Sequence, residues 1–361
     1  MERWIWKLAW LIAFVAAFIP PAWADADVME PLLPFRYAYV GGTQAAVYST
    51  PGDPDQMAPV RHYPPASVCV SVIDQVEVDG RVWYRIGEEE YVLASDVLLA
   101  SPSTFRGVLV GQTYDPPFGF VVADALNVRA SPGVIADVPP LTTLPRYTVV
   151  KVEGQRIADD GIWYQIGPGE YVHSAHVRVV TTTPRPSEVP PGEKWIAVNL
   201  AEQTLVAYEG ERMVFATLVS TGLPWWQTPE GLFQIWFKLS AGKMSGGSME
   251  YGNYYYLADV PWTMYFHGPY ALHAAYWHDS LGHPRSRGCV NLSPRDARWL
   301  FDWALPSLTE GQQAMLSNED NPGTWVYIHS TPASHILAGR SSNANATYHP
   351  LQPEDWLATE T

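Results

Sequence analysis

Cys289 offers the sharpest chemistry in this chain. It is one of only two cysteines and stands in Ser286-Arg287-Gly288-Cys289-Val290-Asn291, a Gly-flanked polar turn directly before an apolar helical pattern. A thiol there is set for nucleophilic attack, because helix N-terminal amides and a nearby cation favour the thiolate. His273 lies sixteen residues earlier, ending an apolar run that reads as a strand. A Cys and a His on separate elements, joined by folding, are what Cys–His acyl transfer needs. The other cysteine, Cys69, sits in the alternating strand pattern Ser67-Val68-Cys69-Val70-Ser71-Val72 and reads as a small buried hydrophobe. Parity allows a Cys69–Cys289 bridge, but it would tie together two separate domains and remove the nucleophile.

Several elements must hold this turn. Residues 293–304 place Ala297, Leu300, Phe301 and Ala304 at helical spacing, with Ser293 as N-cap and Pro294 at the first helical position. Upstream, the runs Trp195 to Leu200 and Thr204 to Tyr208 flank a polar turn, which is a hairpin signal. Val214 to Ser220 and Gly231 to Phe237 add strands. Ahead of these, Thr181 to Pro191 is a Pro-rich hinge, extended and semi-rigid. Beyond about residue 332 the chain shows no period and is expected to be a loosely ordered tail.

The N-terminal half contains a repeat. Residues 81–97 match residues 161–177, pairing Trp83 with Trp163 and Tyr91 with Tyr171 at a spacing of eighty. Short alternating runs broken by Gly and Pro predict small β-barrels. The second copy resembles a bacterial SH3-type module through Leu126-Asn127-Val128-Arg129-Ala130-Ser131-Pro132-Gly133 and Gly161-Ile162-Trp163-Tyr164-Gln165-Ile166. The first copy departs at its opening, with Ala46-Val47-Tyr48. Such modules bind wall peptides or glycan, or act as spacers, and the fold alone selects neither.

The whole chain narrows the function classes. Its formal net charge is −15 with no basic stripe, which argues against nucleic acid as a partner. With 361 residues and 47% hydrophobic, it can bury two or three cores. Residues 1–24 resemble a secretory signal: Arg3 and Lys7, an apolar core from Leu8 to Ile19, then Ala22-Trp23-Ala24 before Asp25. The competing reading is an uncleaved membrane anchor, the one route by which the chain would contact a membrane. Either way the rest is expected to be exported, to the cell wall or the outer face of the membrane.

The segment after the hinge resembles the L,D-transpeptidase catalytic domain of the YkuD type. Ile196 to Leu205 is similar to its opening hairpin. Ser220-Thr221-Gly222 with Thr228-Pro229-Glu230-Gly231, Leu272-His273-Ala274, and Ser286 to Leu292 resemble its motifs, in order. The resulting expectation is a mainly β chain: signal peptide 1–24, SH3-like modules 37–101 and 118–181, linker 182–192, a YkuD-like domain 193–331 with a helix after the nucleophile, and a tail 332–361.

The resemblance implies that Cys289 attacks a peptidoglycan stem peptide to form a thioester and that His273 is its base. The Ala274 carbonyl orients the ring, and the Gly288 and Cys289 amides hold the oxyanion. Gly288 also lets the backbone approach substrate. Asn291 hydrogen-bonds within the site or its turn. Arg287 replaces a histidine usual in the family. It cannot be a base, and is expected to add positive potential that lowers the thiol pKa and attracts an anionic stem. Ser286, His267, Trp262, Tyr276 and His283 are candidate substrate contacts. No cofactor is implied. The five-residue spacing of His278 and His283 in a Gly/Pro loop does not make a zinc set. Water as acceptor would give a carboxypeptidase, and a lapsed site would leave a wall-binding scaffold.

Overall fold

Alternating and continuous apolar runs make this chain mainly β, with a helix after the Cys289 turn. The computed structural model describes residues 33–338 except 42–43, 113 and 136. The expected export signal and the tail beyond 338 lie outside the described residues. No helix among the described residues is long and apolar enough to cross a membrane.

Two sheets frame the turn. In the first, Val290–Leu292 lies beside Tyr270–Ala274, and that strand beside Tyr255–His267. Tyr255–His267 then pairs in parallel with Ser67–Val72, Cys69 opposite Leu257. Arg36–Tyr39 continues the sheet beyond Ser67–Val72. The second sheet runs Gly231–Gln234, Trp325–His329, Lys194–Asn199, Thr204–Glu209, Arg212–Leu218 and Val108–Leu109. Its centre is the expected hairpin, which turns through Gln203 at φ 50°.

The run Trp195 to Val198 lacks polar alternation because both of its faces are covered. Ile196 and Val198 join a core with Leu205, Leu272, Val290 and Leu300. Trp195 and Ala197 join another, with Phe118, Phe120 and Val180 from the second repeat. The helix α1 (Pro294–Trp303) begins as expected, with Ser293 accepting from the Asp296 N–H at 3.2 Å. It buries Ala297, Leu300 and Phe301 in the first core. At about 1.5–3 kcal/mol per large apolar side chain, these cores dominate the cohesion of the molecule.

The repeat is visible in the backbone. Asp74–Val78, Arg81–Gly87 and Glu90–Leu93 form a three-stranded meander, matched by Gly154–Ala158, Gly161–Gly167 and Glu170–His173. Trp83 faces Leu93 and Trp163 faces His173, with an irregularity after Arg85 and after Gln165. Among the described residues, however, neither copy closes into a barrel. The strands available to close the first copy, Arg36–Tyr39 and Ser67–Val72, run into the sheet of the Cys289 turn instead.

The regions flanking the 193–331 segment are fastened to it. In the Pro-rich linker the Thr183 N–H donates to Tyr208 Oη at 2.9 Å, and Arg185 pairs with Glu211 at 2.6 Å. Val189 is fully buried. The expectation of a loose tail does not hold for 333–338. Ala333–Ala338 forms α2, because Ala333 and Leu337, four apart, find the core of the second repeat.

Candidate active site

Parallel pairing of Tyr270–Ala274 with Val290–Leu292 sets His273 opposite Asn291. Register partners point to one face of a sheet, so these two side chains are neighbours, and Cys289 immediately precedes the ladder. His273 is 2% exposed, and its Nδ1 lies 3.0 Å from the Ala274 carbonyl. A carbonyl only accepts, so Nδ1 carries the proton and Nε2 keeps its lone pair. Burial pulls His273 down to about 4, with the Ala274 bond opposing. The imidazole is therefore a neutral base at pH 7.

Cys289 is half-buried, with Sγ 3.9 Å from the Pro269 carbonyl. Burial pushes its thiol up to about 11, opposed by a backbone hydrogen bond with Ala271. The resting pair is thiol and imidazole. This corrects the expectation of a resting thiolate, and the reasons are local. A strand, Val290–Leu292, separates the turn from α1. The first-turn Asp296 N–H is taken by Ser293. Arg287 is turned towards two aromatic rings, those of Trp226 and Tyr255.

The turn itself is tightly braced. Gly288 adopts φ +114°, and a Cβ there would lie 2.3 Å from Tyr270 Cε1. Only glycine fits, because a Cβ would run into the ring of Tyr270. The Gly288 N–H, expected to hold an oxyanion, donates to Ser286 Oγ at 3.0 Å. The Ser286 hydroxyl in turn donates to the Cys289 carbonyl at 2.5 Å. Ser286 is 8% exposed and its backbone bonds Thr221 and Leu223. It is thus a brace of the turn, which corrects its expected place as a substrate contact. Behind it, Gln203 bonds both the Thr221 N–H and hydroxyl, and the Gly222 N–H donates to Thr228 Oγ1 at 2.9 Å.

Asn291 pairs through its backbone with Ser220 in both directions at 2.9 Å. Its side-chain amide lies 2.9 Å from His278 Nε2. His278 Nδ1 accepts from the Ser280 N–H at 3.1 Å, and burial pulls His278 down to about 3. A neutral ring accepting at Nδ1 must donate at Nε2. The Asn291 amide oxygen therefore belongs on the His278 side. That orientation also removes the buried Asn291 Oδ1 from a position without a partner.

With this geometry in place, comparison with known proteins finds similarity in the same segment. Residues 193–328 match the YkuD family model, the L,D-transpeptidase catalytic domain. The Bacillus subtilis (strain 168) protein "Putative L,D-transpeptidase YciB" is 27% identical over 121 residues, 30% of this chain and 59% of that protein. The chain thus spans less than two thirds of that relative. A mutant of the Enterococcus faecium L,D-transpeptidase aligns at 22% identity, covering 38% of this chain and 50% of that one, with a TM-score of 0.30. An L,D-transpeptidase from Mycobacterium smegmatis aligns at 17% identity over 73% of this chain and 94% of that one, with a TM-score of 0.32.

Around the Cys289 turn, the other expected contacts separate. His267 is exposed at a strand end, its ring parallel to Tyr270 at 6.1 Å. Trp262 is a core residue, 7% exposed, which corrects its expected role. Tyr276 is likewise corrected: it is fully buried, stacked on Tyr37 at 3.6 Å and bonded to the Ala258 carbonyl at 2.7 Å. His283 has Arg178, Arg146 and His176, all of the second repeat, as charged neighbours. Tyr270 and Tyr255 are legible only in the structure, because nothing in the local sequence says that their rings reach Gly288 and Arg287. Trp225 is 64% and Trp226 37% exposed, so neither covers a core. Among the described residues no group of three or more His, Cys, Asp or Glu gathers to hold a metal.

Both repeats grip the loop between His273 and the turn. Tyr39 Oη donates to the Trp277 carbonyl at 2.5 Å and Tyr147 Oη to Asp279 Oδ1 at 2.7 Å. Arg146 also holds Asp279, and Arg178 Nε donates to the Gly282 carbonyl at 2.7 Å. Gly282 has no room for a Cβ, which would lie 2.4 Å from Val122.

Proposed function

We propose that this chain is an exported peptidoglycan L,D-transpeptidase. The observation that carries the reading is His273, neutral and with its proton held on Nδ1 by Ala274. It stands on the strand beside the one Cys289 enters, within the segment that matches the YkuD model. In the proposed reaction His273 Nε2 takes the thiol proton as Sγ attacks the carbonyl of the third stem residue. The C–N bond to the fourth residue breaks, and the imidazolium returns the proton to the departing amine. A second stem's amine, deprotonated by His273, then attacks the thioester and releases the thiol. The Cys289 amide would stabilise the oxyanion, joined by Gly288 once Ser286 yields its bond. Export through residues 1–24, and wall contact by the repeats as SH3-like elements, belong to the same proposal.

The test is mass spectrometry of the protein with a tetrapeptide stem and with a carbapenem. A cross-linked dimer, and a carbapenem adduct lost in Cys289→Ala, are expected. Tripeptide without dimer would assign hydrolysis instead. Folded protein that forms no adduct would overturn the reading.

A further inference from the structure

Arg287 is a half-buried cation that has no counter-ion among the described residues. Its Cζ lies 4.8 Å from the ring centroid of Trp226 and 4.6 Å from that of Tyr255. Aromatic faces therefore hold the guanidinium plane by cation–π attraction. Among the described residues it has no carboxylate partner and no hydrogen-bond acceptor. Other arginines contrast with it: Arg61, Arg81, Arg146, Arg185 and Arg298 each lie within 4.0 Å of a carboxylate. The chain has 37 acidic residues against 22 Lys and Arg, so acidic groups are not scarce. A guanidinium stacked on its faces keeps its N–H edges free. That planar fork matches a carboxylate in bidentate geometry.

Position adds to the chemistry. Arg287 stands two residues before the nucleophile, in a turn whose backbone is fixed by Ser286 and Gly288. Tyr255, whose ring Arg287 faces, has both Cys289 and Arg287 as charged neighbours, so the guanidinium and the thiol lie around one ring. Trp225 and Trp226 lie at the surface, which leaves the fork reachable from solvent.

We propose that Arg287, held by Trp226 and Tyr255, is a carboxylate-binding site that selects acyl donors carrying a free carboxylate next to the scissile bond. This rests on the acyl-transfer reading of the same site, yet its test does not need turnover. Binding of stem tetrapeptides to full-length Cys289→Ala protein would be measured by calorimetry. One peptide keeps all its carboxylates, and others have each carboxylate in turn replaced by carboxamide. Adding Arg287→Gln is expected to weaken the unmodified peptide at least tenfold and to leave one amidated peptide unchanged, which names the carboxylate. Arg287→Lys should fall between, since it keeps the charge and loses the fork. It also decides the matter if Arg287→Gln melts early. Equal weakening of every peptide, no weakening of any, or no binding by the parent protein would overturn the proposal. Failure of acyl transfer itself would appear separately, as the missing carbapenem adduct.

Discussion

At the scale of residues, the neutral Cys289–His273 pair sets a pH signature. A thiol pushed up to about 11 should react slowly with iodoacetamide at pH 7.5, slower than an exposed cysteine, and speed up as pH rises towards 11. His273, pulled down to about 4, stays a base through neutrality. Carbapenem acylation should therefore be flat from pH 6 to 8 and fall only as pH drops towards 4. A rate that climbs through pH 6–7 would mean that the ring titrates near its ordinary value. Gly288→Ala would force φ +114° on a Cβ and drive it into Tyr270. At least a tenfold loss of acylation rate is expected, only partly restored by adding Tyr270→Ala, because the backbone strain of about 1–2 kcal/mol remains. Cys289 and His273 could be singled out from residue type and motif, and the structure brings the strand of His273 beside the one that Cys289 enters. The protonation state could not, because it depends on burial by strands remote in sequence. The same holds for the aromatic neighbours of Arg287, which come from two other segments.

At the scale of elements, Asp296 links α1 to what surrounds it. Its carboxylate accepts the Gly107 N–H at 2.9 and 3.1 Å and the Thr217 hydroxyl at 2.5 Å. Asp296→Ala would leave these donors buried without partners, at about 1–3 kcal/mol for each unsatisfied group. Urea unfolding should show a loss of about 3 kcal/mol with an unchanged m-value. Lys238 secures the other end of α1, donating to the Phe301 and Ala304 carbonyls at 2.5 and 2.8 Å. The helix was legible in Ser293-Pro294 and its apolar spacing, since caps and periodicity are local signals. The short strand Val290–Leu292 was not, because three residues carry no period. Nor was the parallel pairing of Ser67–Val72 with Tyr255–His267, which no turn specifies.

At the scale of the whole molecule, acid should loosen the fold. Burial holds His273, His283 and His329 near 4 and His278 near 3. Their lowered folded-state values mean that the unfolded chain binds more protons below about 6.5. Stability from these groups is full above that pH and is lost as pH falls towards 4. Asp296, pushed up to about 6, and Glu202, also raised by burial, act in the opposite sense and stabilise as pH falls, but they are two groups against four. A lower Tm at pH 5 than at pH 7 is expected by calorimetry. Residues 193–338 alone would expose Trp195, Ala197 and Val206, now covered by Phe118 and Phe120. That fragment should be poorly soluble or bind hydrophobic dyes, where an autonomous domain would be soluble with an unchanged melt. The eighty-residue repeat was legible because alternation is written within each copy. That both copies clamp the loop between His273 and Cys289 was not, because docking is decided by facing surfaces. The parallel pairing of Cys69 with Leu257 also orders events during synthesis. When Ser67–Val72 leaves the ribosome, its partner strand has yet to be translated, and it must wait for nearly two hundred further residues. Until then an apolar strand has one open flank. Maturation of this protein is therefore late, governed by contacts distant along the chain, and dependent on whatever shields that flank in the interval.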